Sequence, residues 1–382
     1  MKKRGYLSAV VLLMVVLAGL GLYWAARPEQ EQINPPKAYM EYENAVVEMI
    51  LSDSCQADPV AEGHFRGSQN LIVLVQTGQY AGKQMKAENT VGPIYGLPVS
   101  VGDSVTVGLS TYEDGTVRCY VYEYNRFPGL MVVLAAFLLV TVLVGGKVGA
   151  KSLVSLGLTV AALLWILLPL LLKGWPTIPT TTLIAVLVTV ATFVILGGVD
   201  RKTVCACLGT LAGVAMAAAF GMAAQTLLRM DGYRQEYAEA LLQLRQTGES
   251  GIGISGLVVA GVIISALGAV MDVAMSISSA IEELKRVNPS LGGKELLKSG
   301  MNIGRDMVGT MTNTLILAIL GSGLTLIVYI SSLGLQPWQL FSSAYLSLEA
   351  ISAVASSVGV MLAVPVTAAI CGWIFGGYRA AD

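Results

Sequence analysis

Gly129-Leu-Met-Val-Val-Leu-Ala-Ala-Phe-Leu-Leu-Val-Thr-Val-Leu-Val-Gly145 carries no charge and hardly a polar atom. Seventeen such residues form an element that lipid, not water, solvates as a helix. The stretch is not alone. Of 382 residues, 54% are hydrophobic and only 13% charged, against roughly 25% charged in an average soluble chain. The apolar residues come in blocks of about 18 to 25, the length that spans a bilayer. The sequence is therefore read as mostly α, a polytopic helical membrane protein. The net charge of −1 and the lack of a Lys/Arg cluster give no case for nucleic acid. One histidine (His64) and five cysteines without a CxxC leave no metal-site spacing. No cofactor is expected.

Working outward, the first apolar run is Tyr6–Ala26, after Lys2, Lys3 and Arg4. It resembles a signal peptide in position, but its end lacks a small-x-small site. It is read as an uncleaved anchor, residues 1–27, with Tyr23 and Trp24 at the outer interface. Residues 28–127 are polar and rich in turns. Short alternating stretches recur at Ala45–Leu51, Asn70–Gln76, Lys83–Glu88, Ser104–Leu109 and Val117–Glu123, with turns at Gly78, Gly102-Asp103 and Asp114-Gly115. About five short strands suggest a small all-β, OB-like barrel. Cys55 and Cys119 lie in it, as a pair or as two free thiols.

The remainder divides into 128–250 and 251–382. Helices are expected near 129–145, 152–172, 178–197, 204–228, 254–281, 307–330 and 354–376. That makes about eight spans with the anchor. Trp338–Ser352 carries Glu349 and is read as a short re-entrant or interfacial helix, the alternative being a ninth span. Tyr233, Tyr237, Leu241 and Leu244 fall at helical spacing and predict an amphipathic outer helix. Gly209-Thr-Leu-Ala-Gly213 is a GxxxG, read first as tight bundle packing. With the N-terminus inside, thirteen basic residues lie on the cytoplasmic side: Lys2, Lys3, Arg4, Lys147, Lys151, Arg201, Lys202, Lys285, Arg286, Lys294, Lys298, Arg305 and Arg379. The short outer loops hold four: Lys173, Arg229, Arg234 and Arg245. This positive-inside bias puts the N-terminus in the cytoplasm and the β-domain outside it.

Gly145-Gly-Lys-Val-Gly-Ala-Lys-Ser152 imitates a phosphate loop, but Ala150 replaces the second glycine and no strand precedes it. The informative stretch is 265–314. Ser265, Gly268, Asp272, Ser276, Ser279 and Glu283 share one face of an apolar helix. Asn302, Asp306, Thr310 and Asn313 share a face of the next, with Arg305 beside them. A hairpin joins the two helices, so the polar stripes are expected to meet, Arg305 serving as partner for Asp272 or Asp306. A carboxylate inside the bilayer needs a cation, a proton or a partner, and marks a functional site by default. Asp272, Ser276, Ser279, Arg305, Asp306, Thr310 and Asn313 are the candidate transport and coupling residues. The bland alternative is a static polar cluster that fixes helix register.

Met271-Asp-Val-Ala-Met-Ser-Ile-Ser-Ser-Ala-Ile-Glu-Glu-Leu284 and Ser299-Gly-Met-Asn-Ile-Gly-Arg-Asp-Met-Val-Gly-Thr-Met-Thr-Asn-Thr-Leu-Ile-Leu-Ala318 resemble the signature of YibE/F-like membrane proteins, as does Val358–Thr367. That resemblance implies a multipass protein of the bacterial cell membrane, a leading anchor, an extracytoplasmic β-domain and a transport role of unnamed substrate. At motif level, Asp272, Glu282-Glu283 and Arg305 with Gly309-Thr310 are similar in order to the cores of SecD/SecF export factors and RND pumps. The expected function is an ion-coupled membrane transporter or export factor. The alternative is a non-transporting scaffold or sensor whose β-domain binds a partner or envelope component. An enzyme is not expected, since no nucleophile–base pair is visible and an Asp272/Asp306 aspartyl pair is the weakest option. Expected partners are the lipid bilayer, a small solute or ion, and a second copy or another membrane protein.

Overall fold

The computed structural model describes residues 2–26, 39–112, 115–230, 232–233, 238–248 and 250–376. Asp114 of the expected turn, Arg234, Tyr237 and Arg379 lie outside the described residues. The chain forms two compact units, Gln30–Val140 and Met1–Glu29 with Thr141–Asp382.

The smaller unit is built on strands β1 (Tyr39–Asp53), β2 (Gln56–Ala57), β3 (Phe65–Val75), β4 (Gln84–Val91), β5 (Ser104–Thr111) and β6 (Val117–Tyr124). Their order is β1-β5-β6-β4-β3-β2, and β1 also pairs with β3. The sheet therefore closes into a barrel of five strands, β4 and β6 running parallel and the other neighbours antiparallel. Each of the five expected stretches overlaps one of these strands, with Gln76 and Lys83 just outside β3 and β4, and the closed form is that of an OB-like barrel. Alternation explains the core: Leu71, Val73 and Val75 are buried on β3, while their neighbours are only partly covered. β1 is long enough to serve both edges because irregularities after Val47 and Ile50 let it coil. At Gly67 a Cβ would sit 2.5 Å from the Ser54 carbonyl oxygen, so this crossing needs glycine.

Gln69 and Asn89 are buried polar side chains here, tied to the more exposed Asp53. Asn89 Nδ2 donates to Gln69 Oε1 (2.9 Å), and Gln69 Nε2 donates to Asp53 Oδ2 (2.9 Å). Asp58 Oδ1 accepts from the Val60 and Ala61 amides (both 2.8 Å), and its Oδ2 from Arg66 Nε at 3.0 Å. Cys55 and Cys119 are free thiols; burial pushes Cys119 up to about 11.

The helices are α1 (Lys2–Ala26), α2 (Phe127–Ala162), α3 (Leu168–Leu172), α4 (Thr177–Gly197), α5 (Arg201–Leu227), α6 (Ala238–Gln246), α7 (Leu257–Val287), α8 (Gly293–Ser322), α9 (Leu324–Ser332), α10 (Pro337–Phe341) and α11 (Ala344–Gly376). Among the described residues, six are long and apolar enough to cross a membrane, or seven if the bent pair α8–α9 counts as one span. That is fewer than the eight expected. The difference lies partly in Phe127–Leu172, a single stretch of 46 residues. It is broken at Gly146 (φ 54°, ψ −134°), where the sequence suggested an inner loop. A Cβ at Gly149 would lie 2.3 Å from the Thr141 carbonyl oxygen, so the chain turns sharply there.

Two expectations are corrected. Trp338–Ser352 is not a separate re-entrant helix: α10 is one short turn, and Glu349 belongs to the continuous α11. No glycine or proline falls between Ala344 and Val358 to stop that helix. The span expected at 307–330 starts earlier, at Gly293, and bends by 60° at Gly323. Of the amphipathic stretch, the described residues Ala238–Gln246 form the helix α6.

Small residues set the packing of α5, α7, α8 and α11. A Cβ at Gly209 would meet Thr367 Oγ1 at 2.1 Å, and one at Gly213 would meet Ala363 Cβ and Val270 Cγ1 at 2.7 Å. The GxxxG thus packs within the chain. Gly300 lies on Ile281, and Gly304 on Val364 and Ile277. Arg201, Lys202, Lys285 and Arg286 line one pocket, where Lys202 pairs with Glu282 at 3.3 Å, and Gly293 abuts Gly372 and Gly376.

Two outcomes follow. Gly213→Leu should destabilise the detergent-solubilised protein by about 1–3 kcal/mol or prevent folding. Gly261→Ala, where a Cβ meets nothing within 4 Å, should leave the melting temperature unchanged or slightly raised. Separately, the Cys55 amide and Gln69 hold Asp53 below its ordinary 3.8, and the Ala61 and Val60 amides with Arg66 do the same for Asp58. Carboxylates with lowered native values stabilise the fold above their unfolded value and lose that contribution as pH falls from there through the lowered native value. Barrel stability should fall as pH drops below 3.8, and less steeply in Asp58→Asn, as read by hydrogen exchange of β3 amides corrected for the intrinsic rate.

Candidate functional site

α7 is the central helix of the larger unit. Val258, Val262, Ala266, Val270, Val273, Ile277 and Ile281 are buried on it, and α4, α5, α8 and α11 all touch it. Its remaining face carries Gly268 and Asp272, both accessible. That face opens on a cavity of ≈ 390 Å³ bounded by α2, α4 and α7. Asp272 lines the cavity, together with Ser152, Ser155 and Thr159 of α2 and Thr181 and Thr192 of α4. Asp272 lies ten residues before Glu282, about 15 Å along the helix. That is half the thickness of a hydrocarbon core.

Each wall has a local cause. Ser152, Ser155 and Thr159 are spaced three and four apart and share a helix face. Thr181 and Thr192 share a face of α4 with Ala185 and Val188. Ser155 Oγ donates to Thr192 Oγ1 at 2.7 Å, tying α2 to α4 with two buried hydroxyls. Thr159 Oγ1 donates to the Ser155 carbonyl at 2.9 Å, and Thr181 Oγ1 to the Thr177 carbonyl at 2.8 Å. Below Thr159 the helix widens into a π-turn, Leu163–Leu167, followed by Pro169, which has no amide to continue an α-helical ladder. At Gly268 a Cβ would meet nothing within 4 Å, so this glycine keeps the cavity open beside the carboxylate.

The two polar stripes do not meet. Ser265 turns to α11, its Oγ 2.7 Å from Ser356 Oγ. Ser276 is exposed and Ser279 partly covered, and neither lines the cavity. α8 packs on α7 and α11 through Leu296, Gly300 and Gly304. Asn302, Arg305, Asp306, Thr310 and Asn313 are exposed on other faces of that helix. Among the described residues no ion pair joins Arg305 to Asp272 or Asp306. The hairpin explains this: Gly300 against Ile281 and Gly304 against Ile277 turn small residues inward, which rotates the polar residues outward. Asp306 does not line the cavity that holds Asp272.

Sequence reasoning missed Ser152, Ser155, Thr159, Thr181 and Thr192. The signal was present as hydroxyls repeating at i, i+3 and i+7 in an apolar span, and as the run Thr180-Thr-Thr182. Hydroxyls in membrane helices commonly bond their own backbone, so the pattern alone does not single out a site. Gly145–Ser152 follows a helix, not a strand, so the imitation of a phosphate loop has the wrong setting.

No curated protein and no solved structure matches the chain. Residues 133–377, the greater part of the chain and all of the cavity, match the YibE/F-like protein family. With its apolar helices and the motifs of α7 and α8 inside the matched region, the chain belongs to the YibE/F-like family of membrane proteins.

Proposed function

We propose that the protein is an ion-coupled membrane transporter or export factor, and that the cavity at Asp272 is its cation or proton site. The observation that carries this is a carboxylate at mid-helix depth facing the hydroxyls of two other helices across ≈ 390 Å³. An apolar packing site would not place five hydroxyl side chains and an acid around one space. Oxygen donors with one negative charge suit a hard monovalent cation or a proton carried on water. The volume accommodates several waters, so an ion can enter partly hydrated. Binding neutralises Asp272 in a low-dielectric setting, and α2 and α4 are the walls that respond. In this reading the basic end of the larger unit, with Arg201, Lys202, Lys285 and Arg286, lies in the cytoplasm. The barrel lies on the other side of the bacterial cell membrane. The likeness of order to SecD/SecF and RND cores adds little, because Asp272 and Arg305 stand on different faces.

A second reading has its own observation. On the barrel, Tyr95, Tyr120, Tyr122, Glu88 and Glu123 line a groove of ≈ 360 Å³, and Tyr42 stacks edge-on to Tyr122 at 4.8 Å. An aromatic, acidic groove suits an envelope component or a partner, with the helices as anchor.

The experiment is a solute and ion sensitivity profile of cells lacking the protein, complemented by variants at matched membrane levels. Asp272→Asn should lower rescue on the order of tenfold or more, the change that about 1.4 kcal/mol of lost ion binding brings. Gly268→Val, which puts an apolar side chain into the cavity beside Asp272 without touching charge, should do the same. Ser155→Ala should only raise the ion concentration needed. Full rescue by Asp272→Asn, with loss on deletion of residues 40–125, would instead establish the barrel as the working part.

A further inference from the structure

α8 has two opposed seams. Leu296, Gly300 and Gly304 face α7 and α11 and are buried. Roughly opposite stand Asn302, Asp306, Gly309 and Asn313, all exposed. Their spacings of four, three and four are those of a coiled-coil seam. The hairpin register places Gly304 level with Ile277, five residues inside Glu282, so Asp306 lies about 7.5 Å or more inward of the Lys202–Glu282 pair. Asn313 lies two further turns in, deeper than the level of Asp272. At that depth a carboxamide with four hydrogen-bonding positions finds no water.

Among the described residues nothing answers these groups. Thr310 Oγ1 bonds its own helix, at the Met307 carbonyl (3.0 Å). Among the described residues, Asn302, Arg305, Asp306 and Asn313 have no hydrogen bond or ion pair to another side chain. Lipid is a poor occupant for a face holding an acid, a base and two amides. At Gly309 a Cβ would meet nothing within 4 Å, which leaves room for a second helix to approach closely.

We infer that this face of α8 binds the α8 of a second copy of the chain, in a two-fold dimer whose axis runs along the membrane normal. Copies inserted in one orientation bring their α8 helices together in parallel. A two-fold interface must be self-complementary, residue i meeting j and j meeting i. Arg305 and Asp306 satisfy that condition in adjacent positions: Arg305 of each copy meets Asp306 of the other, and the four charges cancel. Asn313 pairs with its own counterpart, the arrangement by which a buried seam asparagine fixes register and a two-stranded state. The inference does not depend on transport, and it would hold for a scaffold as well.

The test counts copies of the full-length protein in lipid nanodiscs by stepwise photobleaching and by capture of differently tagged copies. Wild type should give two copies. Arg305→Asp creates an acidic pair and Asp306→Arg a basic one, so each variant alone should lose capture. Co-expressed, the two variants present opposite charges at every contact and should recover wild-type capture. Asn313→Leu should weaken capture without abolishing insertion. Because the altered side chains are exposed, unchanged melting temperatures should show that the single copies are folded. Single copies of wild type, charge variants that pair as wild type does, or single variants not rescued by mixing would each overturn the inference.

Discussion

Close approach of helix to helix is the constraint on which the larger unit depends. In hydrocarbon, helices gain little by hiding apolar side chains from one another, because lipid tails are equally apolar. What remains is contact at short range, and this chain obtains it with glycine. Gly209 and Gly213 on α5, Gly300 and Gly304 on α8, and Gly359, Gly372 and Gly376 on α11 all stand where a Cβ would collide with a neighbour. Several of these contacts converge on α7 or on the helix beside it. The result is a block of four helices, α5, α7, α8 and α11, with little freedom to slide.

That block decides where polar groups can go. Three sides of α7 are taken by α5, α8 and α11, so its polar side chains are distributed among what is left. Ser265 satisfies Ser356 and Ser278 approaches Cys371 at 3.4 Å, both inside the block. Asp272 falls on the side bounded by α4 and α2, where hydroxyls are available. On α8 the inward glycines leave the outward half turn to Asn302, Asp306 and Asn313. The same packing rule thus produces a carboxylate facing a cavity on one helix and a polar seam on the next.

Much of this was legible in the sequence, and the limits have physical reasons. The barrel strands were readable because a two-residue alternation separated by glycine turns has few other meanings. The apolar spans were readable from length. The bend at Gly323 and the fusion of Trp338–Ser352 into α11 were not, since both depend on neighbours rather than on local propensity. Asp272 was readable as an outlier in an apolar run. Its companions were not, because stripe arguments assign a face to each helix but not the angle at which two helices meet. The expected meeting of the stripes required the serine face of α7 and the asparagine face of α8 to be the contact. The glycines took that contact, and a glycine face looks featureless in sequence.

The unequal rigidity around the cavity constrains how it can work. The α7 wall is fixed from behind by close-packed helices, so Asp272 is held in place. The opposite wall is built differently. It comes from α2, which is broken at Gly146 and widened to a π-turn at Leu163–Leu167 before Pro169. Glycine breaks, π-turns and proline are the points at which a helix bends without losing many hydrogen bonds. Ser155 and Thr192, joined by one hydrogen bond, are where that deformable segment meets α4. A charge change at Asp272 would therefore act on the hydroxyl wall rather than on the glycine-packed block. Within the transport reading, α2 is the moving part and α7 the fixed one.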